Sequence, residues 1–367
     1  MNKMIFANLV HRPVRSIISI VAVAIEVMLI LMIVGLCLGM VEDSRNRTAG
    51  IGADLMVQPP GSSFLSGISG APVPESVAGV IAKLPHVKVV SPVVSQLSTQ
   101  GGVGVVNGID IDTFQQLGGP LHYLSGGPFQ GPYDAIVDDI YAGANHLRVG
   151  NTLNILNKPF RLAGIVEHGR GAREFVPIKT LQDLLGAEGK ASIFYVKLDN
   201  PSNASLVEEE IHDTPGMNTY IVRSIQQYLS MMTAGNLPGL WQFITVMITV
   251  AVTIGFIVIF QAMYTAVMER TREIGILKSL GASQLYIVNA ILRETGLLAI
   301  AGIVAGIALS FAIRYAIKLR FATLSISIYA SWIGWATLIA IVGAMLGALY
   351  PAIKAARKDP IQALAYE

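Results

Sequence analysis

Charged residues are scarce in this chain. They make up 14% of its 367 residues, whereas 53% are hydrophobic, and a soluble globular domain carries about 25% charged residues. The shortage indicates a membrane protein, although the charges are unevenly spread. Residues 41–239 contain 13 lysines and arginines against 18 aspartates and glutamates, so a mildly acidic middle lies between basic flanks. The net charge of +2 and the lack of a basic aromatic patch give no reason to expect nucleic-acid binding.

Several common kinds of site are also missing from the sequence. The one cysteine, Cys37, lies in an apolar run, so neither an intrachain disulfide nor a cysteine-based metal site is expected. The histidines of residues 41–239 show no His-x-Glu or Glu-x-x-His spacing, and we predict no metal site. No Gly-x-x-x-x-Gly-Lys-Ser/Thr pattern occurs, so the chain itself is not expected to bind or hydrolyse ATP. We predict that it is not an enzyme.

Four long apolar runs are present instead. They cover residues 16–40, 240–267, 287–317 and 331–350, and each is long enough to cross a hydrocarbon core of ~30 Å. Because backbone groups in lipid must be hydrogen-bonded internally, we predict that each run is a transmembrane helix. The first run is too long for a signal peptide and lacks a small-residue cleavage pattern, so we expect it to be retained.

The distribution of positive charge predicts the orientation of these helices. Lysines and arginines cluster before the first run, between the second and third runs, and after the fourth run. Arg314, Lys318 and Arg320, near the other side, weaken this bias without reversing it. Since positive charge favours the cytoplasmic side, we predict that both termini are cytoplasmic.

Residues 41–239 form a large insertion between the first and second predicted spans. Turn signals such as Gln58-Pro59-Pro60-Gly61 separate strand-like runs from helical patches. The strand-like runs are 54–57, 87–94, 102–106, 160–166 and 192–198, and the helical patches are 74–84, 138–147, 178–185 and 203–214. We therefore predict an α-helical membrane protein with four transmembrane helices and a large α+β extracytoplasmic domain between helices 1 and 2.

The strongest functional signal is a charged segment between the second and third spans, residues 268–286. Its alternating charges would solvate a short helix at the membrane surface, and Ile274, Ile276, Leu277 and Leu280 would give that helix an apolar face. A simple turn needs only a few residues, so we interpret the segment as an element that grips a soluble partner. The residues assigned to this coupling role are Glu269, Arg270, Arg272, Glu273, Ile274, Gly275, Leu277, Lys278 and Gly281.

Two further segments flank the predicted spans. Residues 1–15 combine apolar and basic positions, which predicts an amphipathic interfacial helix on the cytoplasmic side. Residues 351–367 are predicted to be a cytoplasmic tail. Its motif consists of Pro351, Ala355, Arg357, Asp359 and Pro360.

Glu26 is an acidic residue inside the first predicted span. A carboxylate in lipid is unfavourable, so Glu26 should face protein or a cavity, or be protonated. The plainer interpretation is a polar contact between helices. The sharper one is a ligand site for a haem-like or cationic amphiphile between the first helices of a dimer.

Taken in order, these motifs resemble the FtsX-like permeases of the MacB/LolC type, the membrane subunits of type VII ABC transporters. The resemblance covers nearly the whole chain. It rests on Glu269 to Gly275 followed by Leu280-Gly281-Ala282, on Pro351-Ala352 through Asp359-Pro360, and on runs of the insertion such as Leu147-Arg148-Val149-Gly150-Asn151.

The resemblance implies a bacterial inner-membrane protein that works with several partners. ATP and Mg would be held by a separate cytoplasmic ABC ATPase, because only about fifteen residues precede the first span. A second permease, either an identical copy or a paralogue, and a periplasmic adaptor protein are also implied. ATP-driven closure would move the extracytoplasmic domain, by mechanotransmission, and drive export of an amphiphilic small molecule or peptide.

Two other functions occur among similar permeases. Lipoprotein-releasing members use a hooked loop on the outer domain, for which residues 59–72 are the candidate. Division-type members activate a cell-wall hydrolase and transport nothing. Their insertion is shorter, so the length of 41–239 favours the exporter type.

Overall fold

The computed structural model describes residues 13–62, 71–98 and 104–358. These residues fall into two units. The helical unit comprises residues 13–39, 239–319 and 326–358, and the inserted domain comprises residues 40–238 together with 320–325. Most of the predicted interfacial helix at 1–15, most of the loop at 59–72, and the motif residues Asp359 and Pro360 lie outside the described residues.

The first helix, α1 (Pro13–Ala49), continues beyond the span predicted at 16–40. Its last turns carry an ion pair between Arg47 and Asp43, four residues apart on one face. The start of the predicted insertion is therefore helical. The helix stops at Gly50, where a Cβ atom would overlap the carbonyl oxygen of Gly169. Only glycine lets the loop at 167–173 approach the end of α1 so closely.

A ten-stranded mixed sheet organises the inserted domain. Its strands are β1 (Leu55–Gln58), β3 (Val87–Ser98), β4 (Gly104–Ile109), β5 (Tyr123–Gly126), β6 (Asp134–Asp138), β7 (Thr152–Ile155), β8 (Lys158–Val166), β9 (Glu174–Pro177), β11 (Ile193–Leu198) and β12 (Ile221–Ser224). A separate ribbon pairs β2 (Val73–Pro74) with β10 (Lys190–Ala191). The order across the sheet is β12-β1-β11-β3-β4-β9-β6-β8-β5, with β7 on β8. The β4–β9 and β6–β8 pairs are parallel.

Short helices cover both faces of this sheet. They are α2 (Ser76–Ile81), α3 (Ile111–Gly118), α4 (Asp139–Ala144), α5 (Ile178–Leu185), α6 (Ala204–Asp213) and α7 (Ile225–Met231). Successive strand residues point to opposite faces, and in β1 both sets are buried. Met56 joins a cluster containing Phe114 and Phe175, whereas Leu55 and Val57 join a different cluster. The prediction of an α+β domain between the first two long helices is confirmed.

The remaining helices are α8 (Leu240–Glu269), α9 (Thr271–Ser279), α10 (Gln284–Arg320) and α11 (Ala330–Arg357). Together with α1, the helices α8, α10 and α11 are long and apolar enough to cross a membrane. The helix α11 continues through Pro351, so the segment predicted as a tail begins as helix.

Small residues bring the long helices of the helical unit together. The buried positions of α11 are almost all alanine or glycine, including Ala336, Ala340, Gly343, Ala344, Gly347 and Ala348. On α10, a Cβ atom at Gly306 would lie 2.7 Å from the carbonyl oxygen of Ala24 and 2.9 Å from Cβ of Val27, both on α1. In lipid, such close backbone approach favours helix association through van der Waals packing.

Replacing Gly306 with alanine is therefore expected to destabilise the protein by about 1–3 kcal/mol. The new methyl group meets the Ala24 carbonyl, which is backbone and cannot rotate away. The measurement is the midpoint of thermal unfolding in detergent. Gly334→Ala on α11 is the matched control, because a Cβ there meets no atom within 4 Å. Equal midpoints for the two variants would contradict tight packing at Gly306.

Candidate functional site

The predicted coupling segment contains a short helix, α9, that follows α8 after a sharp break. The break lies at Arg270, whose φ of −104° and ψ of 14° interrupt the helix. The Thr271 hydroxyl donates to the carbonyl oxygens of Val267 at 3.2 Å and Met268 at 2.8 Å. These carbonyl groups belong to the last turn of α8, where carbonyl oxygens have no N–H partner within the helix. The start of α9 is thus fixed by its own first residue.

The end of α9 is a glycine-dependent turn. Gly281 has a φ of +92°, and its N–H donates to the carbonyl oxygen of Lys278, while the N–H of Ala282 donates to that of Leu277. This pair of bonds is the Schellman motif, which favours glycine at the left-handed position. The Ser283 hydroxyl then accepts from the N–H of Tyr286 and caps the start of α10.

A buried ion pair joins the break to the next long helix. Nη1 of Arg270 lies 3.0 Å from Oε2 of Glu294 on α10, and the two side chains are 12% and 10% exposed. When an ion pair is removed from water in this way, loss of either partner leaves an uncompensated buried charge and destabilises the protein. The pair therefore fixes the angle between α8, α9 and α10.

Lysine side chains connect α9 and α8 to the end of α11. Nζ of Lys278 donates to the carbonyl oxygens of Ala356 at 2.9 Å and Lys358 at 2.5 Å. A cation is favourable there because the C-terminal end of a helix carries partial negative charge. Nζ of Lys354 lies 3.2 Å from the Tyr264 hydroxyl and 4.9 Å from the centre of its ring. The end of α11 and the coupling segment are thus in direct contact.

The four apolar residues of α9 do not form the single face that was predicted. Ile274 and Leu277 are half-buried and line a groove of about 80 Å³ between α8, α9 and α10. Ile276 and Leu280 are exposed, Leu280 by 80%. With 3.6 residues per turn, Ile276 points almost opposite to Ile274, whereas Leu280, the residue that follows α9, lies three positions from Leu277 on a neighbouring part of the surface. Only half of the predicted face is therefore available to a partner.

The outward face of α9 has an apolar centre with charges beside it. It consists of Arg272, Glu273, Ile276, Ser279 and Leu280, all exposed. Leu285, at the start of α10, is also 80% exposed. Contiguous apolar residues rimmed by polar ones mark interaction sites on protein surfaces. We call Ile276, Leu280 and Leu285 the apolar patch.

The other predicted site residues divide into anchoring and exposed positions. Gly275, Pro351 and Ala355 are buried inside the helical unit, whereas Glu269, Gly281 and Arg357 are exposed. Whether any of them contacts an ATPase stays a prediction.

Family models match both parts of the chain. A model of the MacB-like periplasmic core domain matches residues 16–214, and a model of the C-terminal region of FtsX-like permeases matches residues 245–360. The first match covers more than half of the chain. The chain belongs to the MacB-like permease family. It is an ABC transporter permease and a multi-pass membrane protein.

Curated relatives of this MacB-like permease include larger proteins. The macrolide export ATP-binding/permease protein MacB of Vibrio parahaemolyticus is 25% identical over 97% of this chain and 58% of its own length. The MacB of Psychrobacter cryohalolentis is 30% identical over 59% of this chain and 34% of its own length. An uncharacterized ABC transporter permease of Methanocaldococcus jannaschii is 25% identical over 59% and 58%. The chain thus spans little more than half the length of several of these relatives.

Two solved structures are similar to part of this MacB-like permease. The periplasmic region of MacB from Actinobacillus actinomycetemcomitans is 18% identical, with a TM-score of 0.40 over 50% of this chain and 94% of that one. The extracellular domain of the noncanonic ABC-type transporter YknZ from Gram-positive bacteria is 16% identical, with a TM-score of 0.37 over 47% and 99%.

Glu26 of this MacB-like permease lies among helices of the helical unit and is 2% exposed. Neither carboxylate oxygen has a hydrogen-bond partner among the described residues. The carboxylate fits against Gly255 on α8, where a Cβ atom would overlap Oε2, and near Gly343 on α11. The carboxylate thus packs against glycine positions without a hydrogen bond among the described residues, and the polar contact between helices stays a prediction. The ligand-site interpretation stays a prediction.

Sequence reasoning assigned no coupling role to Glu294 or Lys354. Nothing in the sequence identified Arg270 as the partner of Glu294. A pairing over 24 residues depends on the break at Arg270 and the turn at Gly281, which together bring α10 back beside α8.

Proposed function

We propose that this permease couples ATP hydrolysis by a separate ABC ATPase subunit to movement of its inserted domain, and so drives export of an amphiphilic small molecule or peptide. The observation that carries the proposal is the apolar patch. Its three apolar residues lie on α9, on the turn that follows it and on the first turn of α10, and hydrogen bonds fix α9 at both ends. Hydrophobic side chains on such a rigid element lose little entropy on binding, which favours affinity.

The contacts around α9 support a mechanical role for it. A force applied to the apolar patch reaches α10 through Arg270 and Glu294, and reaches α11 through Lys278. Rigid elements joined by buried polar contacts can move together, which is what coupling to an ATP-driven motion requires. We propose that this surface is cytoplasmic, as the distribution of lysine and arginine predicts.

Similarity to the family supports further partners. We propose a second permease subunit, either identical or paralogous, and a periplasmic adaptor protein. ATP and Mg are bound by the partner ATPase in this scheme. The relatives named for macrolide export support an amphiphilic substrate.

Replacing Leu280 with aspartate is expected to weaken ATPase binding by a factor of about 30, the loss of roughly 2 kcal/mol typical of an interface hot spot. The measurement is co-purification of the ATPase with the tagged permease from native membranes, together with the ATPase activity that the permease stimulates. Leu206→Asp is the matched control, because Leu206 is an exposed leucine on α6 of the inserted domain.

The partners recovered with the wild-type protein decide between functions. An ATPase with a periplasmic adaptor supports export. An ATPase with a lipoprotein carrier or a cell-wall hydrolase would replace export by lipoprotein release or signalling. Full ATPase binding and stimulation by Leu280→Asp would overturn the role of the apolar patch.

A further inference from the structure

The inserted domain contains a cavity of about 360 Å³. It lies between the last turns of α1, the strands β3, β4, β9 and β11, the helix α7, and residues 323–325. Ligand sites for small molecules in proteins typically measure about 300–1,000 Å³. The cavity is thus large enough for a small ligand, and the family match assigns no ligand to it.

One wall of the cavity is apolar. It is formed by Met56, Ile193, Tyr195, Tyr228 and Met232. Methionine and tyrosine side chains adapt to ligands of irregular shape and offer large contact areas. This wall suits an aliphatic or aromatic body.

Other lining residues are charged and belong to a network of side chains that neutralise one another. Arg47 pairs with Asp43. Arg173 lies 3.0 Å from Asp43 and 3.1 Å from Asp138. Two guanidinium groups and two carboxylates thus form one paired network. Neither guanidinium is left to hold a ligand anion by charge.

Glu174, at the start of β9, is an additional carboxylate beside this network. It is 3% exposed, and its Oε2 has no hydrogen-bond partner among the residues that the structure describes. The Tyr141 hydroxyl donates to the carboxylate, and the charge that acts on it is that of Asp138. Burial raises the pKa of Glu174 from its ordinary 4.5 to about 7. A buried carboxylate without a cation is unfavourable, and a positive group placed beside it would remove that penalty.

We propose that this cavity binds a small organic cation with an apolar body, whose ammonium group pairs with the carboxylate of Glu174. The apolar body contacts the wall formed by Met56, Tyr195 and Tyr228. Charge complementarity selects a cation over a neutral or anionic compound of the same shape.

The test uses the full-length permease in lipid nanodiscs and 4-fluorophenethylamine, with binding followed by ¹⁹F relaxation against empty nanodiscs. The alcohol 2-(4-fluorophenyl)ethanol and the acid 3-(4-fluorophenyl)propionate have the same ring without the positive charge. We expect the amine to bind more tightly than either by a factor of about 10. Glu174→Gln should reduce amine binding to the level of the alcohol. Glu167→Gln, which removes an exposed carboxylate of the same domain, should leave it unchanged.

The dependence on pH gives a second readout that does not require loss of Glu174. The cation binds the ionised carboxylate, so affinity should rise as the pH increases through about 7, and the probe amine stays protonated over that range. The Tyr141→Phe variant removes only one hydroxyl next to Glu174. The other charged and titratable neighbours remain, namely Asp138, Arg173, Arg47 and Asp43. Because that hydroxyl lowers the pKa of Glu174, its removal should move the binding midpoint to higher pH.

Three outcomes would overturn the proposal. They are equal affinity for amine and alcohol, unchanged amine binding in a folded Glu174→Gln variant, and a binding curve whose pH midpoint is the same with and without the Tyr141 hydroxyl. A cavity that holds only water would show equal affinity for the amine and the alcohol, which is the first of these outcomes. The measurement involves no ATPase, so its result is separate from that of the coupling proposal.

Discussion

Replacing Glu294 with alanine is expected to destabilise the junction of α8, α9 and α10 by about 3–5 kcal/mol. Arg270 would keep its charge while losing the carboxylate 3.0 Å away, in a site where its side chain is 12% exposed. An uncompensated buried charge is more harmful than the absence of the whole pair. The measurement is amide hydrogen exchange of residues 271–279, which should lose protection, together with a lower thermal midpoint.

The double variant Arg270→Met/Glu294→Met distinguishes a specific ion pair from general loss of packing. Removing both charges and keeping apolar volume should recover most of the stability that the single variant loses. If the double variant is as unstable as Glu294→Ala, the pair does not act through charge. If Glu294→Ala leaves exchange at α9 unchanged, the junction does not depend on the pair at all.

Stability and coupling should separate at this junction. Glu294→Ala alters the position of α9, whereas Leu280→Asp alters only its exposed surface. We therefore expect the first variant to change hydrogen exchange in α9 and the second to leave it as in the wild type. Loss of ATPase stimulation in both would place the junction and the apolar patch on one mechanical path.

Much of the helical unit could be predicted from sequence because membrane spans have a simple physical signature. A run of about 20 apolar residues can satisfy its backbone in lipid only as a helix. The sequence also indicated a short helix at 268–286. It did not indicate which apolar side chains of α9 face outward, since Ile274 and Leu277 are covered only when α8 and α10 pack beside them.

The inserted domain was predictable in class but not in detail. Strands such as β1, β3 and β11 were recognised, whereas β6 and β9 were not. A short strand buried on both faces shows no alternation of apolar and polar residues, and the buried acidic residues of β6 and β9 also interrupt their apolar runs. The polar cavity was missed for a related reason. Glu174 and Arg173 are adjacent in sequence, but Asp43 and Arg47 come from the distant end of α1.

Glu174 should make the stability of the inserted domain fall as the pH rises. Burial raises the pKa of its carboxyl group from 4.5 in the unfolded chain to about 7 in the folded protein. The folded state therefore binds more protons between these values. The contribution is fully present below about pH 4.5 and is lost as the pH rises through about 7, with a total loss of about 3 kcal/mol. Hydrogen-exchange protection of β6 and β9, measured across this range, should decrease accordingly.

Glu174→Gln tests the origin of that slope, because glutamine keeps an oxygen that accepts from the Tyr141 hydroxyl but cannot ionise. The variant should lose most of the pH dependence and be more stable than the wild type near pH 8. Burial raises the pKa of Asp138 as well, so a smaller slope of the same sign should remain. A slope equal to that of the wild type would show that Glu174 does not carry the effect. A bound organic cation stabilises the ionised carboxylate, so 4-fluorophenethylamine should flatten the slope in the wild type and leave Glu174→Gln unchanged.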